Sequence, residues 1–211
     1  MSNYKTVFFI LGVLQIILGL SMIVPIIAQF YYNQIDSGFI GSGLVSIIFG
    51  VLFFLSNLDY EKKLTLPQAF LLTALSWLSI AIFGSLPFVF SDLSLSFTNA
   101  FFESMSGITT TGSTILTNLN ETPKAILLWR AMLQWLGGIG IIVMAITLMP
   151  IMNIGGMQLF VISNTHTPEK ILPKSKEISI RLIAIYSSLT LVCAFFYKIF
   201  GMSFFDSIVP V

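Results

Sequence analysis

Five apolar stretches, each close to or beyond the ~20 residues a helix needs to cross a bilayer, dominate this chain and leave it no soluble fold. They run from about Val7 to Tyr32, from Phe39 to about Leu58, from Pro67 to Phe90, from Ala125 to about Met152 and from Ile178 to Phe200. Only 9% of the residues are charged and 56% are hydrophobic, against roughly 25% charged in an ordinary soluble domain. Such a chain cannot cover itself with polar surface, so lipid is its natural solvent. Backbone groups in lipid must bond within their own segment, which makes the stretches helices and the fold class all-α integral membrane. The first stretch is too long for the ~7–15-residue apolar region of a signal peptide and has no small-residue cleavage site, so it reads as an uncleaved helix. Pro67 opens the third at a favoured helix start, and the fourth, the longest, is expected to tilt or kink.

Between the third and fourth stretches, Ser96 to Ser106 is too short to span but long enough to dip halfway into the bilayer. Helical spacing places Phe97, Phe101 and Met105 on one face. Two readings fit that segment alone, a helix lying flat at the interface and a pore helix. The residues directly after it favour the pore helix. Gly107 to Ser113 read Gly-Ile-Thr-Thr-Thr-Gly-Ser, and irregular backbone at membrane depth is tolerated only where protein or water surrounds it. Three threonines and a glycine offer what a cation filter needs: stacked carbonyls, nearby hydroxyls, and a residue able to adopt positive φ so that its carbonyl can turn inward.

Charge asymmetry orients the chain. With the N-terminus cytoplasmic, Lys5, Lys62, Lys63, Lys170, Lys174, Lys176 and Arg181 lie inside, and Lys124, Arg130 and Lys198 outside. The positive-inside rule selects that arrangement. The short helix then enters from the outer face with its C-terminus pointing inward, and the partial negative charge there favours a cation.

The fourth stretch begins Leu-Leu-Trp-Arg-Ala-Met-Leu-Gln-Trp-Leu-Gly-Gly-Ile-Gly from Leu127. Gly137, Gly138 and Gly140 are expected to form a notch that admits the pore helix or the filter loop. Trp129 and Trp135 read equally well as interfacial anchors. Arg130 lies one turn into the helix, where a charge is costly without a partner or an outward reach. Glu103 is the acidic residue of the short helix; the two either pair or both face the outer vestibule.

Phe101 to Thr114, Phe-Phe-Glu-Ser-Met-Ser-Gly-Ile-Thr-Thr-Thr-Gly-Ser-Thr, together with the run from Leu127 to Gly140 and with Gly155-Gly156-Met157-Gln158-Leu159-Phe160, resembles the Trk-type potassium transporters, the superfamily of Trk, Ktr and plant high-affinity potassium transporters. The two initial helices are similar to the extra N-terminal pair of the bacterial Trk membrane subunit. The resemblance implies membrane-pore-membrane repeats arranged around a pseudo-fourfold axis like the subunits of a potassium channel. It divides the chain into an N-terminal helix pair (1–63), a first repeat (64–152, pore helix 96–106, filter 107–113), a cytoplasmic loop (153–176) and the start of a second repeat (177–211). It further implies ion contacts from Thr109, Thr110, Thr111, Gly112 and Ser113, with potassium at Thr110, Thr111 and Gly112, and supporting roles for Glu103, Gly107, Arg130, Gly137, Gly138 and Gly140. Potassium would be the transported substrate, with no cofactor in this chain. The partners it implies are membrane lipid, a second copy in a homodimer of the complete protein, and a cytosolic nucleotide-binding regulatory subunit of the Trk-A type, in the bacterial cytoplasmic (inner) membrane.

Ser96-Phe97-Thr98-Asn99-Ala100-Phe101 aligns with Ser203-Phe204-Phe205-Asp206-Ser207-Ile208, an internal repeat. The counterpart of Gly107 would fall beyond Val211, so the chain is expected to hold one repeat and most of a second, truncated one. A net charge of +1 gives no sign of a nucleic-acid partner. Cys193 excludes an internal disulfide and is expected as a small packing residue. His166, beside Asn164, Thr165 and Glu169, is the one histidine and has no cysteine neighbour, too little for a metal or acid-base site, so no enzyme is expected. Two other readings of the chain are a non-conducting fragment or scaffold that needs the missing repeats, and a secondary carrier with a re-entrant substrate loop.

Overall fold

Proline and glycine set the outlines of the helices. A computed structural model of the chain describes residues 4–34, 36–60, 64–119, 121–148 and 171–209. Helices α1 (Lys5–Ser21) and α2 (Ile23–Tyr32) make one 28-residue span. The break at Met22 sits where Pro25 lacks the N–H that would reach the carbonyl of Ser21. Asn33 ends α2 at φ 54°, a left-handed stop that asparagine tolerates.

Helix α3 (Gly38–Ser56) returns antiparallel to α1. Gly12 faces Gly50 and Gly19 faces Gly43: a Cβ on Gly12 would stand 2.7 Å from the Gly50 carbonyl oxygen, and one on Gly19 2.9 Å from that of Gly43. Each pair of glycines is two helical turns apart, so the two backbones touch at matched levels, the close approach that membrane helices use in place of apolar burial.

Helix α4 (Leu66–Phe90) starts with a reciprocal cap between Thr65 and Gln68, with Pro67 in its first turn. It docks on α1 through Gln15, which is fully buried and donates to the Ser79 hydroxyl at 2.6 Å. At the other end of the α1–α3 pair, Asp36 accepts from the backbone N–H of Gly38 at 2.8 Å and from that of Asp92 at 3.2 Å, tying two loops together.

Helix α5 (Phe97–Ile108) is the short one, capped by Ser96, and α6 (Lys124–Leu148) comes after the loop. The main apolar cluster joins Leu18, Met22, Phe39, Phe88, Ala100 and Trp129. These are the end of α1, the start of α3, the end of α4 and the starts of α5 and α6, so the core gathers at one end of these helices. Residues 1–138 form one compact unit and 139–211 another. In the second, α7 (Ile171–Ile199) leads to α8 (Phe204–Ile208). Five spans among the described residues are long and apolar enough to cross a membrane, Lys5–Tyr32, Gly38–Ser56, Leu66–Phe90, Lys124–Met144 and Glu177–Ile199, which makes this a multi-pass membrane protein.

Three expectations change in detail. The short helix runs two residues further than expected, through Gly107 and Ile108, because α6 comes close enough at Gly137 to pack against that last turn. Its buried face holds Ala100, Glu103, Ser104 and Gly107, while Phe97 is exposed and Phe101 and Met105 are half-buried. Cys193 is exposed on α7. The stretch 149–152, the Gly155–Phe160 motif and the group around His166 lie outside the described residues.

Candidate ion-filter site

The site is built on the last turn of α5 and the strand that leaves it. Ser104, on the buried face, lies against α4, where a Cβ on Gly84 would come within 2.7 Å of its hydroxyl. Gly107 sits against α6: a Cβ there would be 3.1 Å from Leu133 Cβ. One on Gly137 would stand 1.9 Å from the carbonyl oxygen of Ile108, so at this point α5 and α6 meet backbone to side-chain-free backbone. Gly138 is half-buried, and around Gly140 the described residues leave open space. Of the three glycines expected as a notch, Gly137 makes the close contact. Trp129 is no interfacial anchor; it is fully buried, and its indole N–H donates to the carbonyl of Gly84 at 2.9 Å, pinning α6 to α4.

From Thr109 the chain leaves the helix while its N–H groups remain bound. Those of Thr109, Thr110 and Thr111 donate to the carbonyls of Met105, Gly107 and Ser106 at 2.9–3.0 Å. The Thr109 hydroxyl donates to Met105 O at 2.7 Å and lies 2.9 Å from that of Thr111. Thr110 takes φ 58° and Gly112 φ 80°, with negative φ at Thr109. Glycine adopts this conformation freely. For a β-branched threonine it is an outlier costing on the order of 1–3 kcal/mol, held only because its surroundings over-determine it. From the described residues the carbonyls of Thr109, Thr110 and Thr111 accept no hydrogen bond.

The next two carbonyls have protein partners. Gly112 O accepts from Arg130 Nη2 at 2.9 Å, and Ser113 O accepts from the Ser106 hydroxyl at 2.6 Å. Behind the strand, Glu103 is fully buried and its carboxylate pairs with Arg130 Nε at 2.5 Å. The same carboxylate accepts from the Thr114 hydroxyl at 2.9 and 3.0 Å and from the N–H of Ile115 at 3.0 Å. One buried charge thus fixes both the returning strand and α6. Of the two readings for Glu103 and Arg130, the paired one is found. Removing one partner of such a pair costs about 3–5 kcal/mol, since the other is left charged and buried.

Glu103, Gly107, Arg130 and Gly137, all expected from the sequence as supports, come together around the strand. Ser106 and Thr114 join them without having stood out in the sequence. A signal was available: Ala100, Glu103, Ser104 and Gly107 fall at helical spacing, and in a membrane a stripe of small and polar residues marks the packed face. The internal repeat also has a physical counterpart. Ser96 accepts from the N–H of Asn99 and Ser203 from that of Asp206, the same cap three residues ahead at the start of α5 and of α8. Among the described residues no group of three His, Cys, Asp or Glu could hold a metal ion.

The fold is shared with known proteins. The crystal structure of the potassium transporter TrkH from Vibrio parahaemolyticus superposes with a TM-score of 0.86 at 34% identity, over 99% of this chain and 42% of that one. The Trk system potassium uptake protein TrkH of Escherichia coli K12 is 37% identical over 210 residues, 98% of this chain and 44% of the relative. The Trk system potassium uptake protein TrkI of Halomonas elongata is 38% identical over 201 residues, 95% and 41% respectively. The chain therefore spans less than half the length of these relatives. The profile of the TrkH family, described as cation transport protein, matches residues 35–208, and with that match over most of its length the chain belongs to the TrkH family of transport proteins.

Proposed function

We propose that this chain supplies one wall of a potassium-conducting filter, with Thr109, Thr110, Thr111, Gly112 and Ser113 as the wall and potassium held at Thr110, Thr111 and Gly112. The observation that carries this reading is the division of labour along the strand. The three threonine N–H groups are bound by α5, while the three threonine carbonyls accept nothing from the described residues. Oxygen dipoles kept unsatisfied at the C-terminal end of a helix suit a dehydrated cation, which replaces its water with carbonyls held loosely enough to let it leave. Relatives named as potassium uptake proteins support potassium as that cation.

One strand is one quarter of a fourfold ring, so the conducting particle needs three further strands. The complete particle is a homodimer in the bacterial cytoplasmic membrane, with the N-terminus inside and a nucleotide-binding regulatory subunit of the Trk-A type on the cytosolic face. The test is Gly112→Asp in the complete transporter, expressed in a potassium-uptake-deficient bacterium. Uptake at low potassium is lost, or its preference over sodium disappears, while membrane insertion is kept. Undiminished and equally selective uptake would refute the assignment.

A further inference from the structure

Resting on the filter reading of residues 109–113, we infer that Arg130 sets the cation preference of this wall, acting as a positioning residue that holds the Gly112 carbonyl. Its guanidinium does two separate things with two nitrogens. Nε meets the Glu103 carboxylate at 2.5 Å, and Nη2 meets the Gly112 carbonyl oxygen at 2.9 Å. The first needs only a positive charge. The second needs a planar fork whose donors are fixed relative to each other, a geometry lysine does not have.

Among the described residues nothing else at Gly112 decides where that carbonyl points. Its φ of 80° is open to glycine, and a Cβ built there would meet none of the described atoms within 4 Å, so the peptide has both conformational freedom and space among them. The neighbouring carbonyl at Ser113 is held by the Ser106 hydroxyl instead. A carbonyl already bonded to a fixed cation binds a mobile one less well. The strand thereby gives the ion at Thr110, Thr111 and Gly112 two carbonyls with no other partner among the described residues and a third, that of Gly112, with only part of its dipole. Cation preference depends on how many carbonyl dipoles surround the ion and how freely they can close on it. Released from the guanidinium, the Gly112 carbonyl is free to follow a smaller ion inward, and discrimination against sodium falls.

The experiment measures the ratio of sodium to potassium uptake in the complete transporter, a quantity independent of how much protein reaches the membrane. Two variants separate the clamp from the ion pair. Arg130→Lys keeps a charge for Glu103 and loses the fork; Glu103→Gln with Arg130→Gln removes both buried charges together. If Arg130 only neutralises Glu103, both variants keep the wild-type ratio, and that result would overturn the inference. The expected result is a rise of about tenfold in relative sodium uptake for both, the scale of one charge-assisted hydrogen bond. Gly112→Asp in the same assay keeps the underlying reading separate. A wild-type ratio there removes the filter assignment itself, whereas a changed ratio there with unchanged Arg130 variants removes only the clamp.

Discussion

Gly137→Ala places one methyl group where the structure has no room for it. The new Cβ would lie 1.9 Å from the carbonyl oxygen of Ile108, 2.7 Å from its carbonyl carbon and 3.1 Å from its Cα. An ordinary contact needs about 3.4 Å, so α5 and α6 must part by about 1.5 Å. Overpacking costs about 1–3 kcal/mol where side chains can yield. Here the obstacle is main chain, so the upper end applies, and about 3 kcal/mol is roughly a hundredfold in the balance between packed and parted helices. Ile108 is the last helical residue before Thr109, so the displacement is delivered straight to the strand. Potassium uptake by the complete transporter, normalised to membrane abundance, is expected to fall by at least tenfold. Gly140→Ala is the internal control, since a Cβ there meets nothing within 4 Å among the described residues; it should be silent or slightly stabilising, alanine being the better helix former. Gly107→Ala, 3.1 Å from the side chain of Leu133, should fall between the two. Equal effects at Gly137 and Gly140, or none at Gly137, would refute the contact geometry.

Thr114→Val removes the hydroxyl that bonds the buried Glu103 and accepts from the N–H of Leu116; thermal unfolding in detergent should show a loss of about 1–3 kcal/mol, against none for Thr117→Val, whose hydroxyl makes no hydrogen bond among the described residues. Trp129→Phe keeps the packing and deletes the bond to Gly84 O; the expected cost is about 1–2 kcal/mol, and a stability equal to wild type would mean the indole N–H contributes nothing. In a Cys193→Ser background, cysteines at Ser37 and Asn118 should react with an impermeant thiol reagent from outside the cell and one at Asp59 only after the membrane is opened; the opposite pattern would reverse the orientation.

The spans are legible in the sequence because apolar length is a strong signal, and their ends fall within a few residues wherever proline, asparagine or a capping threonine marks them. The α1–α3 contact is not, although Gly12 and Gly19, and again Gly43 and Gly50, stand seven residues apart, because glycines two turns apart gain meaning only when a second helix supplies the matching pair. On α5 the aromatic face stands out and is the wrong guide to burial. In water apolar residues go inside; in lipid they need not, and it is Glu103, Ser104 and Gly107 that face the protein. The pairing of Glu103 with Arg130 can be raised from cost alone, as each charge needs a partner. The bond from Arg130 to Gly112 cannot, since it depends on which way a single peptide unit turns.

The ion pair between Glu103 and Arg130 joins residues 27 positions apart, and that separation bears on how the protein is made. Helices α1 and α3 complete their glycine contacts with nothing beyond Ser56, and α4 can dock on them through Gln15 as soon as it is inserted. Helix α5 cannot settle in the same way. As it leaves the ribosome its buried carboxylate has no counter-charge, and burying it alone is costly. Arg130 arrives only when α6 is synthesised, so α5 must wait near the aqueous surface until the next helix enters and then descend with it. Synthesis order thereby couples the insertion of α5 to that of α6, and a pause between them during translation would leave the Glu103 carboxylate without its counter-charge.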